Sequence, residues 1–299
     1  MIHILTADQF SQEELLNLFQ ETKKIQEATE IEQTQQGNIL ATVFLEPSTR
    51  TRLSFETAML RLGGKVISIT NQESSSISKG ESIEDTARVI SIFADIIAIR
   101  TPEKGQVDTF SKKSSVPVIN AGDGTGEHPT QHLLDLYTIW KEAGIIDGMT
   151  IGLMGDCKNS RVLRGLAKMS AEFDVKFIFI APDELKMKDD VKNYLKEKGR
   201  TFKEASDIEE VIGELDVLDV NRVRHEYFED KKRAKEIGEQ FILTKEMVQK
   251  GKDELIVLDP LPRVNTVQEE VDELPQAKYF EAVVNGLYLR MALLNHLLT

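Results

Sequence analysis

The stretch Phe44-Leu45-Glu46-Pro47-Ser48-Thr49-Arg50-Thr51-Arg52-Leu53-Ser54-Phe55-Glu56 decides the reading of this chain. An apolar, β-rich run, Ile39 to Leu45, leads into it, and apolar residues at helical spacing (Leu53, Ala58, Leu60, Leu62) follow. A strand that ends in Ser-Thr-Arg-Thr and turns straight into a helix makes an anion site. The first-turn N–H groups lack partners inside the helix, the helix dipole is positive there, and hydroxyls and a guanidinium converge on the same spot. Taken alone, Ser48 or Thr49 would do no more than cap a helix. The rest of the chain supplies matching parts.

Upstream, Ser11-Gln12-Glu13-Glu14 has the form of a capping box and opens a structural helix expected from Ser11 to about Ile31. Downstream, Gly63-Gly64 ends the helix and Lys65–Ile69 reads as a strand, which completes a βαβ unit and predicts a parallel sheet. Residues Asn71 to Glu81 are polar and serine-rich and read as a mobile loop. A helix from Ser82 to Phe93 and a strand from Asp95 to Arg100 follow, which puts Arg100 at the carboxyl end of a strand, where open α/β sheets bind ligands. Val116–Asn120 is another strand. It runs into the glycine-rich turn Ala121 to Glu127 and then His128-Pro129-Thr130-Gln131, at the start of a helix ending near Glu142.

Gly144 to Gly148 reads as the break between two domains, and a second alternation of strands and helices follows. Its strands are Thr150–Met154, Val175–Ile180, Leu215–Val220 and Leu255–Leu258. Its helices run from Val162 to Phe173 and from Asp189 to Gly199, with another starting at Ser206–Glu210. The turn from Gly155 to Arg161, the segment Asn221-Arg222-Val223-Arg224 and the loop Asp259-Pro260-Leu261-Pro262-Arg263 each close a strand, and Ala282 to Leu298 is a terminal amphipathic helix.

Composition narrows the chemistry. The chain has 299 residues, 40% of them apolar and 29% charged, as in a globular protein with room for two domains. Its net charge of -13 argues against non-specific nucleic-acid binding, and no apolar run is long enough to span a bilayer. An acidic chain that gathers arginines in a few turns points them at a small anion. The single cysteine, Cys157, excludes an intrachain disulfide framework and a cysteine metal cluster, reads as a buried free thiol, and fits a reducing cytoplasm. No G-x-G-x-x-G follows a strand, and neither G-x-x-x-x-G-K-[ST] nor H-E-x-x-H occurs.

Taken together, Ser48-Thr49-Arg50-Thr51-Arg52, Ser78-Lys79-Gly80-Glu81, Arg100, His128-Pro129-Thr130-Gln131, the turn to Arg161, Asn221-Arg222-Val223 and Pro260-Leu261-Pro262-Arg263 resemble the aspartate/ornithine carbamoyltransferase family in order and spacing. The Pro-Leu-Pro-Arg loop and Arg161 and Arg222 favour the aspartate branch, and the His-Cys-Leu-Pro loop of the ornithine branch is absent. The resemblance implies an α/β fold of two doubly wound parallel-sheet domains with the active site in the cleft between them. Residues 1–133, completed by helix 282–299, would bind carbamoyl phosphate, and residues 134–281 would bind aspartate.

The reaction implied is attack of the aspartate amino group on carbamoyl phosphate, an early step of pyrimidine biosynthesis, with no cofactor, metal or protein nucleophile. By the same resemblance, Ser48, Thr49, Arg50 and Thr51 cradle the phosphate, while Thr51, Arg100 and His128 polarise the carbonyl. Gln131 and the backbone at Pro260, Leu261 and Pro262 take the carbamoyl amide, and Arg161, Arg222 and Arg224 hold aspartate together with Lys79, Pro260 and Leu261. Ser75 and Lys79 would come from a neighbouring subunit, making a homotrimer with shared sites, to which a regulatory chain or higher oligomer could be added. Three positions depart from the family pattern: Asp259 stands for a histidine, Arg224 for a glutamine, and Tyr227 for an arginine that would brace Glu46. One expectation is that Asp259 and Arg224 form a compensating pair. Two alternatives stand beside the leading reading, a carbamoyltransferase for another amino acid and a silent binding scaffold.

Overall fold

A computed structural model describes residues 2–73, 75–223, 228 and 230–298, the side chains of 231, 234, 235 and 240 excepted. The chain divides into two compact units, Met1–Leu134 with Val283–Thr299, and Asp135–Ala282.

The first unit is built on four parallel strands, β1 (Ile39–Phe44), β2 (Lys65–Ile69), β3 (Ile96–Thr101) and β4 (Val118–Asp123), in the order β2-β1-β3-β4. Strands β1, β3 and β4 are almost wholly buried, which is why they read as unbroken apolar runs. Strand β2 is the edge, and its largely exposed pattern fits that place. Helix α1 (Gln12–Glu27) starts at the expected capping box, with Ser11 N donating to Glu14 Oε2 and Glu14 N to Ser11 Oγ. It stops four residues before Ile31. From Ala28 to Glu30 every residue is exposed, so no buried face sustains further turns. Helices α2 (Arg50–Arg61), α3 (Ile83–Phe93) and α4 (Gln106–Ser111) complete the βα connections. In the expected mobile loop, Ser76–Lys79 form a 3₁₀ turn.

The second unit carries β5 (Thr150–Gly155), β6 (Lys176–Ile180), β7 (Thr201–Ala205), β8 (Val217–Asn221) and β9 (Ile256–Leu258), all parallel, in the order β7-β6-β5-β8-β9. Helix α5 (Pro129–Ala143) runs from the first unit into the second, followed by α6 (Arg161–Ser170), α7 (Asp189–Glu197), α8 (Lys231–Gln240) and α9 (Lys245–Val248). Helix α10 (Tyr279–Leu298) returns to the first unit. Arg161 belongs to α6 rather than to the preceding turn, because Ser160 caps the helix by accepting from Leu163 N. The helix expected from Ser206 is instead two 3₁₀ turns, Ile208–Glu210 and Ile212–Glu214, with Gly213 in the second.

In each sheet the chain moves outward to one side of its first strand and then crosses to the other. Strands β1 and β3 are neighbours with opposite onward connections, as are β5 and β8. The carboxyl ends of such pairs are where open α/β sheets admit ligands.

Candidate active site

At the carboxyl end of β1 and β3, Phe44 lies opposite Arg100, and Leu45 N donates to the Arg100 carbonyl. This register fixes where both loops leave the sheet. Glu46, two residues on, receives a hydrogen bond from Arg100 Nε at 2.6 Å, so a salt bridge holds the guanidinium at the sheet edge. Helix α2 begins at Arg50, and Leu53 N to the Thr49 carbonyl is among its first bonds. Thr49 makes no side-chain cap, so its hydroxyl does not play the plain capping role that the residue type alone would suggest. Arg50 and Thr49 are exposed, Ser48 is half-buried and Thr51 is buried.

Strand β4 delivers the other wall. Asp123 accepts from Gly105 N with both carboxylate oxygens at 3.0 Å and from Thr101 Oγ1, tying the glycine-rich turn to the β3–α4 loop. Gly124 sits there at φ +50°, and a β-carbon on it would lie 2.5 Å from the Pro102 carbonyl, so only glycine fits. Beyond the turn, His128 is 4% exposed, with Nε2 3.5 Å from Thr51 Oγ1 and Nδ1 3.5 Å from Thr130 Oγ1. The imidazole is therefore held edge-on between two hydroxyls, one of them on α2. Gln131 is half-buried in the first turn of α5.

Arg290 was not singled out by the sequence reasoning. Its guanidinium donates to Ser54 Oγ at 3.1 Å and to Thr130 Oγ1 at 3.4 Å, and lies 5.1 Å from the centre of the Phe55 ring. It ties α10 to α2 and to the threonine beside His128. The signal available was a lone arginine in the apolar run Leu287 to Leu294. Ser75 and Lys79 lie in the β2–α3 connection. Ser75 is buried and its hydroxyl donates to the Gln72 carbonyl, whereas Lys79 is exposed.

In the second unit, β5 and β8 end side by side, with Gly155 opposite Asn221. Arg161, 7% exposed, is the first residue of α6, and half-buried Arg222 follows β8 directly. The turn between β5 and α6 is pinned by buried Asp156, which accepts from the backbone and side-chain nitrogens of Asn159. Cys157 is fully buried there, donates to the Leu153 carbonyl, and burial pushes its thiol far above the ordinary range. That environment fits an inert packing residue.

Strand β9 leads into Asp259, whose carboxylate accepts from Leu261 N and from Thr266 Oγ1, both at 2.6 Å. This is an aspartate turn closing on the backbone two residues ahead. It holds Leu261 at φ +54°, a conformation uncommon for a branched side chain. At the far end of the loop, Arg263 pairs with Asp272 and packs over the Tyr279 and Phe280 rings. Arg224 and Tyr227 lie outside the described residues, and with them the Arg224 half of the pair expected with Asp259.

The comparisons with known proteins agree with this layout. Residues 2–141 match the family described as aspartate/ornithine carbamoyltransferase, carbamoyl-P binding domain, and residues 147–297 match its Asp/Orn binding domain. The chain is 47% identical over 287 residues to the aspartate carbamoyltransferase catalytic subunit of Clostridium novyi, covering 95% of this chain and 94% of the relative. It superposes on the catalytic subunit of Methanocaldococcus jannaschii aspartate transcarbamoylase with a TM-score of 0.93 at 44% identity, covering 99% and 98% of the two chains. A Trypanosoma cruzi aspartate transcarbamoylase in complex with carbamoyl aspartate and phosphate gives a TM-score of 0.93 at 34% identity, covering 99% and 96%. The chain belongs to the aspartate/ornithine carbamoyltransferase family.

Proposed function

We propose that this chain is an aspartate carbamoyltransferase, transferring the carbamoyl group of carbamoyl phosphate to L-aspartate to give N-carbamoyl-L-aspartate and phosphate. The observation that carries the reading is the contact of Thr51 with His128 in the first unit, whose sheet also ends strand β3 at Arg100 beside the start of the β1–α2 loop. Relatives named for this activity span nearly the whole chain.

The neutral amino group of aspartate attacks the carbonyl carbon, forming the C–N bond and placing negative charge on the carbonyl oxygen. Donors from Thr51, His128 and Arg100 stabilise that oxyanion, and a single such donor is worth about 10²–10³ in turnover. The C–O bond to phosphate then breaks, and the departing phosphate takes the proton lost by the amine. Ser48, Thr49, Arg50 and Thr51 bind the phosphate throughout, and Gln131 with the Pro260–Leu261–Pro262 backbone holds the carbamoyl amide. Arg161, Arg222 and Arg224 bind the aspartate carboxylates, for which planar guanidinium forks are suited, and Lys79 with the Pro260–Leu261 part of the turn completes the aspartate pocket. Binding of N-(phosphonacetyl)-L-aspartic acid, which joins both substrates, tests the assignment. Competitive inhibition against carbamoyl phosphate is expected, and indifference to the compound would refute aspartate as the acceptor.

The assembly proposed is a homotrimer in which Ser75 and Lys79 complete a neighbour's site. Supporting it, the first unit exposes Leu60, Ile67, Val89, Ile92 and Phe93, an unusual set of large apolar side chains for solvent. Inactive Lys79→Ala and Arg50→Ala proteins, mixed and reassembled, should regain part of the activity because some sites then receive both native residues. If no mixture recovers activity, the sites are not shared. The buried lone cysteine supports a reducing, cytoplasmic location.

A further inference from the structure

Inside the second unit, two buried aspartates, Asp135 and Asp259, act electrostatically on a third, Asp219. Asp219, in the middle of β8, is wholly buried, and among the described residues neither of its carboxylate oxygens has a hydrogen-bond partner. Asp135 on α5 is 2% exposed and Asp259 after β9 is 5% exposed. Asp219 lies opposite Leu258 in the ladder, one residue from Asp259. From the β5–α6 turn, the Cys157 thiol feels Asp156 and Glu204, and an ionised Asp219 would add its charge to theirs. Among the described residues, no group of acids and histidines is arranged to hold a metal ion.

An ionised carboxylate with both oxygens unpaired is among the most costly things a protein can bury, and a second and third acid beside it add repulsion. Burial first, then the charges of Asp135 and Asp259, push the Asp219 carboxyl well above the usual carboxylate range. Asp259, by contrast, has each oxygen engaged by a donor, Leu261 N and Thr266 Oγ1.

We infer that Asp219 is kept as the neutral acid of this trio, so that Asp259 stays ionised and grips the Pro260–Leu261–Pro262 turn, making both aspartates positioning residues for that turn. The part of the inference that concerns activity rests on the function proposed above, whereas the protonation state does not. The departure at Asp259 thereby acquires a role, as the residue that closes the turn on itself.

The test compares the full chain with Asp219→Asn across pH. In the natural chain the folded state binds a proton that the unfolded state has released above about pH 4, so its stability falls as pH rises until Asp219 ionises in the folded protein. Asp219→Asn has no such loss. The ratio of the two unfolding constants, natural over variant, should grow about tenfold per pH unit from pH 5 to 6. A ratio that stays flat over that range overturns the inference. Should Asp219→Asn fail to fold, carbon-13 spectra of aspartate carboxyls in the unaltered protein serve instead. A carboxyl resonance still at its protonated position at pH 6 is expected, and complete titration below pH 5 overturns the inference.

For the positioning role, Asp259→Ala should raise KM for aspartate at least tenfold with a smaller change in kcat, and Asp259→Asn should restore part of the loss. An unchanged KM in Asp259→Ala overturns that role even if Asp219 proves neutral. Absence of turnover in the natural chain would instead fault the proposed function, a separate outcome.

Discussion

Replacing Gly155 by alanine probes the join on which the aspartate half depends. Gly155 ends β5 at φ +110°, and a β-carbon built there lies 1.9 Å from the Asn221 carbonyl oxygen and 3.1 Å from its carbon. No side-chain rotation relieves that overlap, since the obstacle is backbone. Holding alanine in this conformation costs about 1–3 kcal/mol. Parting β5 from β8 to relieve the contact sacrifices a ladder hydrogen bond worth about 1 kcal/mol, and more if a buried carbonyl is left unsatisfied. The sum is about 3–5 kcal/mol, which for a unit of this size lowers Tm by about 6–20 °C.

The movement falls between Arg161 and Arg222, so KM for aspartate should rise while carbamoyl phosphate binding changes little. Gly148→Ala is the control. Its φ is +88°, but nothing lies within 4 Å of the added carbon, so only the conformational cost remains, about 1 kcal/mol. Calorimetry of both variants, with saturation curves for each substrate, makes the comparison. If Gly155→Ala melts no lower than Gly148→Ala and binds aspartate normally, the close approach of the two strands does not shape the site.

Thr51→Val removes the hydroxyl beside His128 at nearly constant volume, and turnover should fall about 10²-fold with Tm little changed, as steady-state kinetics and calorimetry would show. Cys157 should resist a thiol reagent in the native protein and react at the rate of unfolding, and fast stoichiometric labelling would contradict its burial. Although burial alone would raise it, the Asp272 carboxyl is held below its usual range by hydrogen bonds from Arg263 and Tyr279. A depressed acid stabilises the fold above its unfolded pKa and loses that contribution as pH falls through the lower folded value. The stability gap between the natural chain and Arg263→Gln should therefore be full above about pH 5 and shrink below pH 4, as denaturant titrations would reveal.

Much of this fold is written in residue pattern. The buried strands β1, β3, β5 and β8 appear as apolar runs because parallel strands covered on both faces have no polar side to show. Edge strand β7, Thr201–Ala205, escaped notice because its outward residues are charged and only Phe202 and Ala205 are half-buried. Helix α8 is similarly masked, with Ile237 its one buried residue among those described. At the candidate site, the residues proposed to hold ligand could be picked out by type and turn, since hydroxyls, glycines and arginines concentrate at strand ends. The supporting contacts were not. Arg290 against Thr130, Asp123 against Gly105 and the buried trio around Asp219 are set by packing between segments far apart in sequence, which no local pattern encodes.

The central claim is that two anionic substrates react at donors placed on strand ends. It is tested most directly by colorimetric assay of carbamoylated product from carbamoyl phosphate with L-aspartate, L-ornithine and a panel of other amines. The account predicts saturable formation of N-carbamoyl-L-aspartate, with every other acceptor at least a hundredfold poorer in kcat/KM, on the order expected when paired carboxylate contacts are lost. Turnover with another amine that matches or exceeds that with aspartate, or no product from any acceptor, would contradict it.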